Sequence, residues 1–313
     1  MCYNYKNIFY LVFGMLDNAC TLCPRNCRVD RENRIGYCGA PKSLKVARAA
    51  LHFWEEPIIS GSGGSGTVFF SHCPLKCVYC QNSSISSGGD GLAITVERLC
   101  DIFFELKKQG AHNINLVSPT QYAGDIITAM KMARERGFDK PFVWNTSGYE
   151  SVETLKKLDG IVDIYLTDFK YSSETLAERY SHAKNYPAVA KEALIEMMRQ
   201  QPDCVFDGEM LKKGVIVRHL LLPGCVSDSK DVIDTFYDVC KDSAYLSLMR
   251  QYTPQKNCRI PELMRAVTDG EYDEVSGYAA LLGIEKLFLQ EDESVSESFI
   301  PEFDYSGVMP MEE

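Results

Sequence analysis

The sequence predicts an α/β protein, specifically a partial (βα)6-type TIM barrel with an N-terminal Cys-rich segment. Three observations predict it. Strand-like runs at Thr67–Ser71, Asn113–Val117, Phe142–Asn145, Val162–Lys170, Val215–Leu222, Ala244–Leu248 and Lys286–Gln290 alternate with helically periodic stretches, the pattern of βαβ units with parallel pairing. Polar and charged residues stand near the ends of several of these runs, on one face. Cysteines gather in two tight groups, one ahead of the first run and one directly after it.

Along the chain, residues 1–66 read as a Cys-rich segment and linker, 67–290 as the barrel with a helical insertion near 171–213, and 291–313 as an acidic tail. The apolar stretch Ile8–Leu16 is interrupted by Gly14 and too short to span a bilayer. It also lacks the basic start and small-residue cleavage site of a secretory signal, so a packed segment of a cytoplasmic protein is expected. GSGGSG at 61–66 lacks the GK[ST] of a phosphate loop and reads as a turn into the first strand. The clearest helices are Val96–Lys108, with Val96, Leu99, Cys100 and Phe103 on one face, and Asp231–Cys240, with Val232, Phe236, Val239 and Cys240 aligned.

Alternation alone fits a doubly wound sheet as well as a barrel. The polar residues distinguish them. In DIYLTDFK a period of two puts Ile164, Leu166, Asp168 and Lys170 on one side, so an acid and a base emerge together at the strand's C-terminal end. Arg218 shares a face with Leu220 and Leu222, and Asn145 shares one with Ser147. Charges pointing inward at strand ends describe the mouth of a barrel, although Asp168 and Lys170 could equally form a plain structural ion pair.

Cys73, Cys77 and Cys80 stand in HCPLKCVYC, a CxxxCxxC spacing. Random placement of 13 cysteines among 313 residues yields roughly 0.02 such triplets. Three thiolates can hold three irons of a [4Fe–4S] cube and leave the fourth iron open to an exogenous ligand. A zinc site completed by His72, or a structural cube closed by Cys225 or Cys100, are the alternatives. Cys20, Cys23, Cys27 and Cys38 form the other group, with two, three and ten intervening residues. Four ligands can close a site, as zinc or as a second cube, which would be structural or electron-relaying. The remaining cysteines, Cys2, Cys100, Cys204, Cys225, Cys240 and Cys258, are scattered and read as small buried hydrophobes.

The net charge of −10 argues against non-specific nucleic-acid binding, and its distribution is uneven. After Lys286 the tail holds eight acids and no base, whereas Arg25, Arg28, Arg31, Arg34, Lys42, Lys45 and Arg48 outnumber Asp30 and Glu32 between residues 20 and 48. That stretch is a local basic surface, either simply solvated or a dock for an acidic reductant such as a flavodoxin or ferredoxin.

From about Cys20 to Pro301 the chain resembles the radical S-adenosylmethionine (SAM) superfamily, in particular its glycyl-radical-enzyme activating branch, which includes pyruvate formate-lyase activating enzyme-like proteins. CxxxCxxC followed by Gln81 and Asn82 is the specific part. The resemblance implies that Cys73, Cys77 and Cys80 hold a [4Fe–4S] cluster whose open iron is chelated by SAM. It places Tyr79 near the adenine. NTSGY, Asn145–Tyr149, is similar to the branch's strand-three motif and TDFK, Thr167–Lys170, to its strand-four motif, so Asp168 and Lys170 are implied to approach SAM, with Asp168 a ligand for a cation beside it. Arg218, in VRHLLLPG, matches a basic residue that contacts the ribose or carboxylate of SAM, while His219 falls on the opposite face. The chain departs from the family pattern twice: Ser118, Pro119 and Thr120 replace a glycine-rich, acid-containing motif that meets the SAM amino group, and Asn145 replaces an acid.

The activity so implied is reductive cleavage of SAM to methionine and a 5′-deoxyadenosyl radical, which in the activating branch abstracts hydrogen from a backbone glycine of a partner protein. Two other readings stay open. One is radical SAM chemistry on a small molecule, peptide or RNA base; the other is an iron–sulfur electron carrier or redox sensor that never cleaves SAM.

Overall fold

The structure is a computed structural model that describes residues 19–255, 258–290 and 301–310. The stretch Ile8–Leu16, Cys2 and most of the acidic tail lie outside the described residues.

The strands are β1 (Lys45–His52), β2 (Ser65–Phe70), β3 (Leu92–Ala93), β4 (Ile114–Val117), β5 (Phe142–Thr146), β6 (Ile164–Asp168), β7 (Val205–Asp207), β8 (Met210–Leu220), β9 (Tyr245–Met249) and β10 (Leu287–Leu289). The α-helices are α1 (Pro57–Ser60), α2 (Ser83–Ser86), α3 (Val96–Lys108), α4 (Ala123–Glu135), α5 (Val152–Lys156), α6 (Glu174–Ser181), α7 (Tyr186–Gln200), α8 (Val226–Cys240) and α9 (Asp269–Leu281). The sheet runs β10-β9-β8-β6-β5-β4-β2-β1-β3, with β7 paired to β8. Every pairing from β2 to β10 along that path is parallel. β1 is antiparallel to β2 and takes the place where a closing strand would stand. The result is an open, partial barrel, and all seven predicted runs supply its parallel strands.

The helices form where composition and caps agree. α3 starts at Thr95, whose hydroxyl accepts from the Arg98 amide at 3.1 Å, carries Glu97 in its first turn and Lys107 and Lys108 in its last, and buries Leu99, Cys100, Ile102, Phe103 and Leu106. α9 begins with a capping box between Thr268 and Glu271. Within 171–213, α7 is the crossover helix that carries the chain from β6 to β8, and β7 forms a hairpin with the start of β8.

The two sheet faces bury different things. Outward, Trp144, Tyr165, Val215 and Val217 pack with the helical layer. Inward, Val143, Ile164, Leu166, Leu211 and Ile216 form a small apolar floor capped by the fully buried Ile59 of α1. The linker before β2 therefore plugs the barrel from within, and it carries Glu55 and Glu56 into the interior. Cys100, Cys225, Cys240 and Cys258 are buried as expected, and Cys204 is half-buried.

Three strands escape the sequence pattern. β1 reads KVARAALH, and its alanines are poor strand formers; it forms because it pairs with β2 along most of its length. The far edge of β1 is covered by residues 301–310, through Tyr305 N to Ala47 O at 3.1 Å and Ala49 N to Ser306 O at 2.8 Å.

Candidate active site

The cysteine triplet occupies the loop that leaves β2. His72 and Lys76 adopt left-handed backbone, φ 71° and 55°, which curls the loop back on itself. The Gln121 amide, from the turn after β4, donates to Ser71 O and His72 O at 2.9 Å each and to Ser118 O at 2.7 Å. Sequence reasoning missed Gln121, a clamp visible only once β4 lies beside β2. Burial, reinforced by Cys77 and Cys80, pushes the Cys73 thiol up to about 12. Burial also raises Cys77, with the Lys170 ammonium opposing it. Ser181 Oγ lies 2.9 Å from Cys77 Sγ and Ser86 Oγ 3.3 Å from Cys80 Sγ.

Three soft, partly buried thiols at this spacing suit the cationic core of an iron–sulfur cluster. Cys77 and Cys80 line a cavity of about 250 Å³ that none of His72, Cys100 and Cys225 lines. The His72 ring instead wedges between Gly39 and Gly89, where an added Cβ would come within 3.2 and 2.5 Å of it.

The opposite wall of the cavity is the polar end of the barrel interior. Asp168 accepts from Lys170 Nζ at 2.7 Å and Arg218 Nε at 3.0 Å. Arg218 also donates through Nη2 to Asn145 Oδ1 at 2.7 Å and through Nη1 to Glu55 Oε2 at 3.1 Å, and Glu55 in turn accepts from Asn115 at 3.0 Å. Burial alone would raise the Asp168 carboxyl, but Lys170 and Arg218 together hold it below its ordinary value. The same pairing keeps Lys170 and Arg218 charged against burial. Burial raises Glu55 and Glu56, with Arg218 opposing. One Glu56 oxygen, Oε2, is buried without a hydrogen-bond partner.

Glu55 is the acid that sequence reasoning missed. Its signal was two adjacent glutamates inside the apolar stretch LHFWEEPII, since a charge in such a run either finds a partner or is costly. Gly148 of NTSGY has φ 77° and lies so close to Asp168 that a Cβ would stand 2.2 Å from its carbonyl oxygen. Tyr186 ties the same strand ends together, accepting from Lys170 N at 2.9 Å and donating to Ser147 O at 2.8 Å.

The structure thus brings Tyr79, Asn145, Asp168, Lys170 and Arg218 to the cavity with Cys77 and Cys80. Tyr79 presents its ring there, edge-on to Tyr252 at 6.1 Å, while its hydroxyl turns inward to Tyr171 at 2.6 Å. Ser118 does not line the cavity; its backbone is left-handed, φ 55°, and its carbonyl is held by Gln121. His219 lies outside, neutral and lowered to about 4 by burial, bonded to Phe169 O and Ser229 Oγ at 2.8 Å each.

The other four cysteines fold into a knob beside the triplet. Its turns are fixed by Cys20 N to Val29 O, Arg28 N to Cys20 O and Asn26 N to Cys23 O, all 3.0 Å. Burial, with Cys38 and Cys20 adding to it against an opposing backbone hydrogen bond from Arg25, pushes Cys23 up to about 12. Burial also raises Cys38, with the Ala40 amide and Arg31 opposing it and Cys20 and Cys27 adding to it. None of them lines the cavity. Arg25 docks the knob on the triplet loop through Nε to Pro74 O at 2.9 Å, and on the end of α6 through Nη1 to His182 O at 2.5 Å and Nη2 to Ser181 O at 3.2 Å.

In the basic stretch Arg28, Arg34 and Lys42 are exposed, while three arginines are engaged by the folded chain. Arg25 points inward, Arg31 donates to Gln121 O and Pro41 O, and Arg48 pairs with Asp304 at 2.6 Å. A guanidinium must satisfy several donors, and backbone carbonyls of the folded chain were within reach.

Residues 67–220, from β2 through β8, match the radical SAM superfamily. That stretch is a radical SAM domain. Over 280 residues the chain is 29% identical to an uncharacterized protein of Methanocaldococcus jannaschii, covering 86% of this chain and 73% of that one. Among solved structures, Streptococcus suis SuiB bound to its precursor peptide SuiA aligns with TM-score 0.50 and 12% identity over 70% of this chain and 46% of its own. SuiB bound to SAM aligns with TM-score 0.50 and 14% identity over 70% and 48%. The chain spans about half the length of these structures, and the likeness is one of fold. In that domain Cys77 and Cys80 of the triplet share one cavity with Asp168, Lys170 and Arg218.

Proposed function

We propose that this chain cleaves SAM reductively, to methionine and a 5′-deoxyadenosyl radical, at a [4Fe–4S] cluster held by Cys73, Cys77 and Cys80. The observation that carries this reading is the shared cavity, in which Cys77 and Cys80 face Asp168, Lys170 and Arg218. A cluster held there would supply one low-potential electron and an open iron. The chain's own residues do the rest. Lys170 offers an ammonium to the carboxylate of SAM, and Asp168 a carboxylate to its cationic groups. Asn145 and Arg218 fix the Asp168 side of the cavity, and the Tyr79 ring offers an apolar face to the adenine. With Glu55 in the network, the interior recovers the negative charge that Asn145 lacks.

The substrate class we propose is a backbone glycine of a partner enzyme, or another site on a protein. It rests on the NTSGY and TDFK strings. A small molecule, peptide or RNA base is the alternative; SuiB, similar in fold, has been solved bound to its precursor peptide SuiA. The Cys20, Cys23, Cys27 and Cys38 knob is proposed to hold a second [4Fe–4S] cluster or zinc, with flavodoxin or ferredoxin as reductant. All twelve cysteines among the described residues are free, which supports work in a reducing, cytoplasmic compartment.

Anaerobic reconstitution with SAM and dithionite tests the reading. Wild type should form 5′-deoxyadenosine and Cys77→Ala none; absence of product from wild type under every reductant would leave an electron carrier or sensor. Iron, sulfide and zinc counts on the same samples assign the knob.

A further inference from the structure

The geometry points to Ser181 as a positioning residue that raises the reduction potential of a cluster bound through Cys77, by donating a hydrogen bond to that sulfur along a relay ordered by Tyr171 and Tyr79. The inference rests on Cys77 being a cluster ligand. Ser181 ends α6 and is fully buried. Its Oγ stands 2.9 Å from Cys77 Sγ and 2.8 Å from the Tyr171 hydroxyl, which stands 2.6 Å from the Tyr79 hydroxyl.

Ligation decides the direction of this chain. A metal-bound thiolate has no proton and can only accept, so the single Ser181 proton must point at sulfur. Tyr171 must then donate to Ser181, and Tyr79 to Tyr171. Both phenols carry their protons at neutral pH, since a tyrosine hydroxyl ionises only near about 10. Three aligned hydroxyl dipoles ending on one sulfur polarise one another in a low-dielectric setting.

The backbone holds Ser181 in place from two sides. Val78 N donates to Tyr180 O at 2.9 Å, joining the triplet to the end of α6. His182 then turns left-handed, φ 51°, and Arg25 grips the Ser181 and His182 carbonyls. When one electron enters from an external reductant, the added charge spreads onto the sulfurs, and a donor aimed at one of them stabilises the reduced state. No proton leaves its oxygen. The corresponding contact on Cys80, from Ser86 Oγ, is longer at 3.3 Å and has no such relay behind it.

The test is an EPR-monitored potentiometric titration of the reconstituted full chain without SAM. Ser181→Ala should make reduction about tenfold less favourable, which for a one-electron couple is about 59 mV toward lower potential. Tyr171→Phe, which keeps the serine, should shift it the same way by less, and Ser86→Ala least. An unmoved midpoint in Ser181→Ala, with wild-type iron content, overturns the inference alone. If Ser181→Ala fails to take up iron, Tyr171→Phe decides in the same manner. A wild type with no reducible cluster, or a cluster that persists in Cys77→Ala, overturns the proposed site together with the inference.

Discussion

The two cysteine groups use one ligand chemistry and are placed to opposite ends. The triplet leaves β2 at the barrel mouth, and two of its thiols open on a cavity walled by Asp168, Lys170 and Arg218. None of the quartet's cysteines lines that cavity, and Arg25 beside them holds the triplet loop from behind through Pro74 O. What separates a candidate reaction centre from a support is therefore the surroundings. In the proposed cluster the missing fourth ligand matters because the cavity beside Cys77 and Cys80 is lined with fixed charges.

The largest expected effect breaks that contrast outright. Cys77→Ala should abolish both 5′-deoxyadenosine formation and the EPR signal of the triplet, whereas Cys38→Ala should empty the knob and leave a reducible triplet cluster; iron counts and EPR of the two variants check this. Asp168→Asn is expected next. It leaves Lys170 and Arg218 facing each other without their carboxylate, which should cost about 3 kcal/mol by chemical denaturation and weaken SAM binding. Because Asp168 is held below its ordinary 3.8, its contribution is present above that value and lost as pH falls further. The acid limb of a denaturation profile should therefore flatten in Asp168→Asn.

Arg25→Ala removes one hydrogen bond to the triplet loop, two to the end of α6 and stacking over Tyr37 at 4.0 Å. A loss of about 2 kcal/mol in unfolding free energy is expected, with faster proteolysis of the knob. The smallest effect sits behind the knob. Glu150 is buried, accepts from Thr120, Thr146 and Trp144 through one oxygen, and is raised by burial from 4.5 to about 7. The folded state therefore holds this proton more tightly than the unfolded chain. Stability falls as pH rises from 4.5 to about 7 and then levels. Glu150→Gln keeps an acceptor without the charge, so its Tm should exceed that of wild type at pH 8 and match it near pH 4; equal differences at both would show that the proton is not involved.

Much of the barrel was legible because strand and helix periods are local. Thr67–Ser71, Val162–Lys170 and their companions each announce a strand, and the period of two in DIYLTDFK assigns Asp168 its face before any neighbour is known. β1 was not legible, since its alanines join the sheet only by pairing with β2. Glu55, Gln121 and Ser181 were not legible either. Each reaches the site across the chain, Glu55 to Arg218, Gln121 to Ser71 and Ser181 to Cys77.

By itself the sequence determined the donor sets and the faces: three thiols spaced for a cluster, four spaced for a closed site, and charges directed into a barrel. Only the tertiary structure decided how those pieces meet. It set the knob against the triplet, drew Arg25 and Arg31 inward from an apparent basic surface, and carried Glu55 up through the barrel floor. The reason is physical. Side-chain spacing and strand period follow from covalent geometry within a few residues, whereas a buried charge or hydroxyl takes whichever partner packing brings within about 3 Å, and that partner can stand anywhere along the chain.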